Sequence, residues 1–194
     1  MGVIKTALEI ALEKTENVRG DRSNIDLFEY KQKGKKLANE YLAGDSDMEQ
    51  LKKAPPGQKE SLKQGIFDVL VTQISMPANK EDLPRLEKTG RGLAMIIEKN
   101  EFSVMFKQLM QIMGQYLDEV SRYDQAIRQQ YAPKLRQKEE ELSRRFGREV
   151  RIDPMQDPEF TAFYNQHISA LKGNYIAVIE QAREEARKMF ENKD

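Results

Sequence analysis

The sequence predicts an all-α protein: a helical bundle head carrying a long antiparallel two-helix, coiled-coil-like hairpin formed by about residues 103–147 and 157–191. Three observations lead there. Two long segments, Phe102 to Phe146 and Phe160 to Phe190, carry apolar residues at helical spacing. A short connector containing glycine and proline joins them. Both stripes stay on one side of their helices, so each needs a partner surface and the other is the nearest one.

The elements of the head follow in order. Gly2 to about Glu16 place Ile4, Leu8, Ala11 and Leu12 on one helical face, with Lys5, Glu9, Glu13 and Lys14 largely opposite, which predicts an amphipathic helix able to dock. A polar turn from Arg19 to Asn24 offers Ser23 or Asn24 as the cap of a second helix through Leu27, Phe28, Leu37, Tyr41 and Leu42, ending at Gly44. A short helix from about Asp47 to Lys53 stops at Pro55-Pro56-Gly57. From Lys59 to Ser75, Ile66, Phe67, Val69, Leu70, Val71 and Ile74 cover most of a helix circumference, so this helix is expected at the centre. A linker from Pro77 to Glu81 then leads into a helix that holds Pro84 in its first turn and ends in the apolar run Leu93 to Ile97.

The first hairpin stripe steps by four and three through Phe102, Phe106, Leu109, Met113, Tyr116, Val120, Tyr123 and Ile127, then thins through Tyr131, Leu135, Leu142 and Phe146. Pro133 removes a backbone donor and predicts a kink near Gln129 to Pro133, and Gly147 supplies the left-handed residue that ends helices. Asp157-Pro158-Glu159 reads as an N-cap, a first-turn proline and a favourable early negative charge. The second stripe runs through Phe160, Tyr164, Ile168, Leu171, Tyr175, Val178, Ala182, Ala186 and Met189. A fold-back about Ile152 sets Tyr131 opposite Gly173. Residues 1–101 are thus an N-terminal bundle region and 102–194 a hairpin whose base packs on it, in one structural unit. The interior glycines Gly34, Gly65, Gly90, Gly92, Gly114 and Gly173 are expected at close helix crossings.

Composition narrows the function. The 32 basic and 32 acidic side chains cancel, so no global field recruits nucleic acid or an anionic membrane. With no cysteine and one histidine, His167, thiolate chemistry and paired-histidine metal sites are excluded, and no metal, cofactor or catalytic residue is assigned. No apolar run approaches the roughly 20 residues that span a bilayer, and a cytoplasmic location is expected.

The residues singled out for binding are Arg144, Arg145, Phe146, Arg148 and Arg151 at the expected hairpin tip. Forked guanidiniums can grip carboxylates or phosphates, and a projecting tip is a contact surface. The competing reading is a solvated turn whose arginines pair with Glu139, Glu140, Glu141 and Asp153. Lys31, Lys33, Lys35 and Lys36 spread around the second helix and read as a solvated face, while Met95, Met105, Met110 and Met113 read as core filling near the hairpin base. His167 lacks a nucleophile in context. The expected function is therefore a non-enzymatic protein-interaction or scaffold role, with a partner protein or a second copy of the chain. The alternatives are a nucleic-acid or ribosome-associated factor using the basic tip, and an enzyme with a carboxylate or tyrosine site in the bundle.

Overall fold

The computed structural model describes residues 26–192, and among them every regular element is helical. Six α-helices follow in order: α1 (26–43), α2 (Glu49–Lys53), α3 (Pro56–Thr72), α4 (Leu83–Ile97), α5 (Asn100–Phe146) and α6 (Pro158–Glu191). Short 3-10 turns at Lys80–Asp82 and Pro154–Gln156 precede α4 and α6. The helix expected from Gly2 to Glu16 and the cap at Ser23 or Asn24 lie outside the described residues. No helix among the described residues is long and apolar enough to cross a membrane.

The boundaries follow from local chemistry. Gly44, at φ +100°, takes the left-handed turn that ends α1. Pro55 and Pro56 do double duty: they stop α2 and, because a first-turn proline gives up no hydrogen bond, they also open α3 earlier than the expected Lys59. Asn79 and Asp82 cap the next turn reciprocally, Asn79 Oδ1 accepting from the Glu81 amide (2.9 Å) and Asp82 Oδ2 from the Asn79 amide (3.3 Å). The corner between α4 and α5 is two residues long. Glu98 adopts φ +58° there and is held by Lys63 of α3 at 3.0 Å.

The head core is built from every helix. Leu37 and Tyr41 of α1, Met48 and Leu51 around α2, Leu62, Ile66, Phe67, Leu70 and Val71 of α3, and Leu93, Ile96 and Ile97 of α4 meet Phe102 to Met113 of α5 and Ile179 to Ala186 of α6. The central position expected for α3 follows from its burial on several sides. Two glycines make the α1–α3 crossing possible: a Cβ on Gly34 would overlap the Leu62 carbonyl, and one on Gly65 the Lys31 carbonyl. Gly90 and Gly92 likewise admit Phe106 and the Tyr41 and Leu70 side chains, whereas Gly114 and Gly173 face open space and mark no crossing. From α6, Phe190 stacks on Phe67 with ring centroids 4.2 Å apart, and Arg183 Nε donates to the Ile74 carbonyl at 2.8 Å.

The 47 residues of α5 make a rod of about 70 Å, several times the length of an average helix. Only its first third, to Met113, joins the head core; beyond it a second, separate cluster of Ile127, Tyr131, Phe160 and Ile168 forms between α5 and α6. The two helices run antiparallel, with Tyr116 against Tyr175 and Tyr131 against Phe160. The register differs from the symmetric fold-back: Tyr131 meets Phe160 and Phe163 instead of Gly173, about three and a half turns earlier along α6. Pro133 lies inside α5 without ending it, on an exposed side where water can take the carbonyl it leaves unpaired. Tyr123, on the expected seam, is 46% exposed.

Candidate functional site

The far end of the α5–α6 pair is shaped by a connector that folds back along α5. Gly147, at φ +66°, closes α5. The Val150 amide then donates to Ser143 Oγ (2.9 Å) and the Ile152 amide to Glu139 Oε1 (2.9 Å), pinning the returning chain against the last turns of the helix. Asp153 Oδ1 accepts from the Met155 amide (3.0 Å), which starts the 3-10 turn. The chain has therefore travelled back two turns before α6 begins, and this is the physical cause of the shifted register.

Where α6 begins, a polar clamp holds it to α5. Asp157 is the N-cap: its Oδ1 accepts from the amides of Glu159 (2.9 Å) and Phe160 (3.0 Å) and from the Tyr131 hydroxyl (3.2 Å). Its Oδ2 takes the Lys138 ammonium at 2.6 Å, and Glu159 binds Lys138 (2.9 Å) and Lys134 (2.8 Å). The Lys138 ammonium and the Phe160 amide hold the Asp157 carboxyl down at about 2. Lys134, then Lys138, hold Glu159 down at about 2 as well. Burial pushes the Tyr131 phenol up, and the two carboxylates keep Lys138 charged well beyond its ordinary range. Two cations and two anions pair with each other here, and the clamp ties the start of α6 to α5. Sequence reasoning found the Asp157 cap and missed its partners. The signal was present in the spacing of Tyr131, Lys134 and Lys138, which puts a phenol and two ammoniums on one face of α5.

Beyond the clamp lies the tip, where the five residues singled out from the sequence are all exposed. Arg144 lies 3.6 Å from Glu140, and Arg151 lies 3.0 Å from Glu149. Arg145 and Arg148 have no carboxylate within ion-pair distance among the described residues. The solvated-turn reading thus describes part of the tip: Glu140 pairs as it expects, but Glu139 and Asp153 are spent on backbone amides. Phe146, which lies between these two arginines in the sequence, is 59% exposed.

The remaining residues of interest have structural surroundings. His167 donates Nδ1–H to the Phe163 carbonyl one turn earlier (2.8 Å) and packs against the Phe163 ring. Met113 is fully buried, Met105 and Met110 pack on the head core, and Met95 is largely outside it. On α1, Lys31 binds Asp68 (2.9 Å), Lys36 lies near Glu40 and Lys33 covers the Tyr30 ring, so these lysines do not form one patch.

A family model described as a family of unknown function (DUF6657) matches residues 48–188, which takes in α2 to α5, the tip and nearly all of α6. No curated protein and no solved structure matches the chain.

Proposed function

The chain belongs to this family of unknown function (DUF6657), and we propose that it is a non-enzymatic protein-interaction or scaffold protein that offers the tip of its α5–α6 arm to a partner protein. One observation carries the reading: an exposed phenylalanine, Phe146, is flanked in sequence by Arg145 and Arg148, which have no ion-pair partner among the described residues, at the end of the α5–α6 pair beyond the head core. Aromatic and arginine side chains dominate the energetics of protein interfaces, because a ring buries much apolar area and a guanidinium bonds carboxylates in a fork. Covering the exposed three-fifths of Phe146 is worth roughly 1–2 kcal/mol. A single arm tip of this kind acts as an anchor, and the clamp at Asp157 keeps it at a fixed orientation.

A protein partner is favoured over a nucleic acid by the charges around the anchor. Glu139, Glu140, Glu141 and Glu149 are interleaved with the arginines, and a phosphate backbone would be repelled by them. Carboxylates presented singly by a folded partner fit between them. The test is site-specific photocrosslinking in the cell that makes the protein, with the crosslinker replacing Phe146 or, as a control, Met95 on the head. The expected result is a discrete protein adduct from position 146 alone, lost when Arg145→Glu and Arg148→Glu are combined. Identical adducts from both positions, or adducts to nucleic acid only, would overturn the proposal.

A further inference from the structure

We propose that the α5–α6 pair is hinged where it leaves the head, at Gly114 and Gly173, and that Lys80 and Asp118 latch the hinge. Each of the two helices contains a single glycine. Neither glycine has the left-handed backbone that Gly44 and Gly147 adopt, and a Cβ on either would meet nothing within 4 Å. A glycine inside a helix frees the backbone and weakens the helix relative to alanine. The tight crossing that accounts for Gly34 and Gly65 does not account for that cost here.

Their positions do account for it. Met113 is the last α5 residue in the head core, and Gly114 follows it directly. Along α6, going outward from the head, Tyr175 is the last residue packed on that core, and Gly173 lies two residues beyond. The Tyr116 and Tyr175 rings face each other with centroids 5.0 Å apart. Each glycine stands two residues before its tyrosine, so in the antiparallel pair the two flank one level, about 6 Å apart along the arm. Tyr116, Leu117 and Leu171 are buried near this level and belong to neither the head core nor the arm cluster. A soft point in both helices at one level, between two separate cores, lets the pair bend there. The Lys80–Asp118 ion pair crosses that level: Lys80 opens the 3-10 turn before α4, and its ammonium lies 2.9 Å from Asp118, one turn beyond Gly114. Both side chains are exposed, so the pair is weak, screened by salt and easily released. A bend of about 20° at Gly114 carries Phe146, about 48 Å further along α5, through about 17 Å. The Asp157 clamp holds the tip on its own two helices, and the hinge sets where those helices point, whatever the tip binds.

The chain contains no cysteine, so introduced pairs carry spin labels without background. In the full chain, Lys36→Cys with Phe146→Cys joins the tip to α1, which packs on α3 to one side of α5. Tyr123→Cys with Phe146→Cys places both labels beyond the hinge, about 35 Å apart, and serves as the control. Pulsed electron–electron resonance is expected to give a head-to-tip distance distribution about twice as wide as the control. Combining Gly114→Ala with Gly173→Ala should narrow the head-to-tip distribution to about the control width and leave the control unchanged. Each alanine alone should narrow it in part, which repeats the measurement if the double variant folds poorly. Asp118→Lys should widen the head-to-tip distribution, and adding Lys80→Asp should narrow it again. A wild-type head-to-tip width equal to the control, or a width that survives both alanines, would rule out the hinge. An unchanged width in Asp118→Lys would rule out the latch.

Discussion

Replacing Asp157 by alanine removes the residue on which the start of α6 depends. Four contacts disappear at once: two backbone amides of the first turn, the Tyr131 hydroxyl and the Lys138 ammonium. Loss of an N-cap costs about 1 kcal/mol. Loss of a charge-assisted bond to a carboxylate as buried as this one costs about 1.5–3 kcal/mol, reduced here because Glu159 still holds Lys138 at 2.9 Å. Together these give about 2–3 kcal/mol. The loss should be local, because the arm has its own small core, separate from that of the head. Native-state hydrogen exchange of the amides from Glu159 to Asn165 reads it directly, with head amides such as those of Ile66 to Leu70 as the internal control. The substitution Asp157→Asn keeps the cap without the charge and should lose about half as much. Acid supplies the second arm of the assay. The folded Asp157 carboxyl titrates at about 2, below its ordinary 3.8, so its contribution is complete above about pH 4 and disappears as the pH falls through about 2. Wild type should therefore lose arm protection over that window, and Asp157→Ala should keep only the share of the slope that belongs to Glu159. A variant within about 0.5 kcal/mol of wild type, or an unchanged acid slope, would refute the clamp.

Other substitutions test the packing. Gly34→Ala or Gly65→Ala drives a methyl into a backbone carbonyl of the facing helix, and thermal unfolding should register a loss of about 2 kcal/mol or more. Gly114→Ala and Gly173→Ala meet nothing, and each should stabilise by about 0.5–1 kcal/mol in the same measurement. Arg183→Ala frees the Ile74 carbonyl and the Thr72 carbonyl at the end of α3, and chemical denaturation should show a loss of about 1–2 kcal/mol.

Much of this architecture was legible because it is written in local chemistry. Gly44, Gly147 and Asp157-Pro158 are punctuation that acts within a few residues, and the ends of α1 and α5 and the start of α6 fall where they indicate. Pro56 acts in two senses, since the same residue that cannot continue a helix is well suited to begin one. The register of α5 on α6 was not legible, since it depends on where the connector lies. Amides of Val150 and Ile152 bonded to Ser143 and Glu139 carry the chain back along α5 before α6 starts, and no periodicity records that. The glycines separate for a similar reason: Gly34 and Gly65 face a backbone and Gly173 faces solvent, a difference set by the partner helix and invisible in the sequence of either helix alone. At the tip, the arginines and Phe146 were recognisable as a group, but which guanidiniums stay unpaired depends on Glu139 being taken by a backbone amide.

The central claim is that α5 carries Phe146 away from the head, and an intramolecular distance tests it most directly. In the cysteine-free chain, Met95→Cys and Phe146→Cys accept a pair of spin labels, one on the exposed edge of α4 and one at the tip. The length of α5 from Phe102 to Phe146 sets a separation of about 55–70 Å in pulsed electron–electron resonance. A distribution centred below about 40 Å, the diameter of a compact bundle of this length, would contradict the projecting arm and the role proposed for its tip.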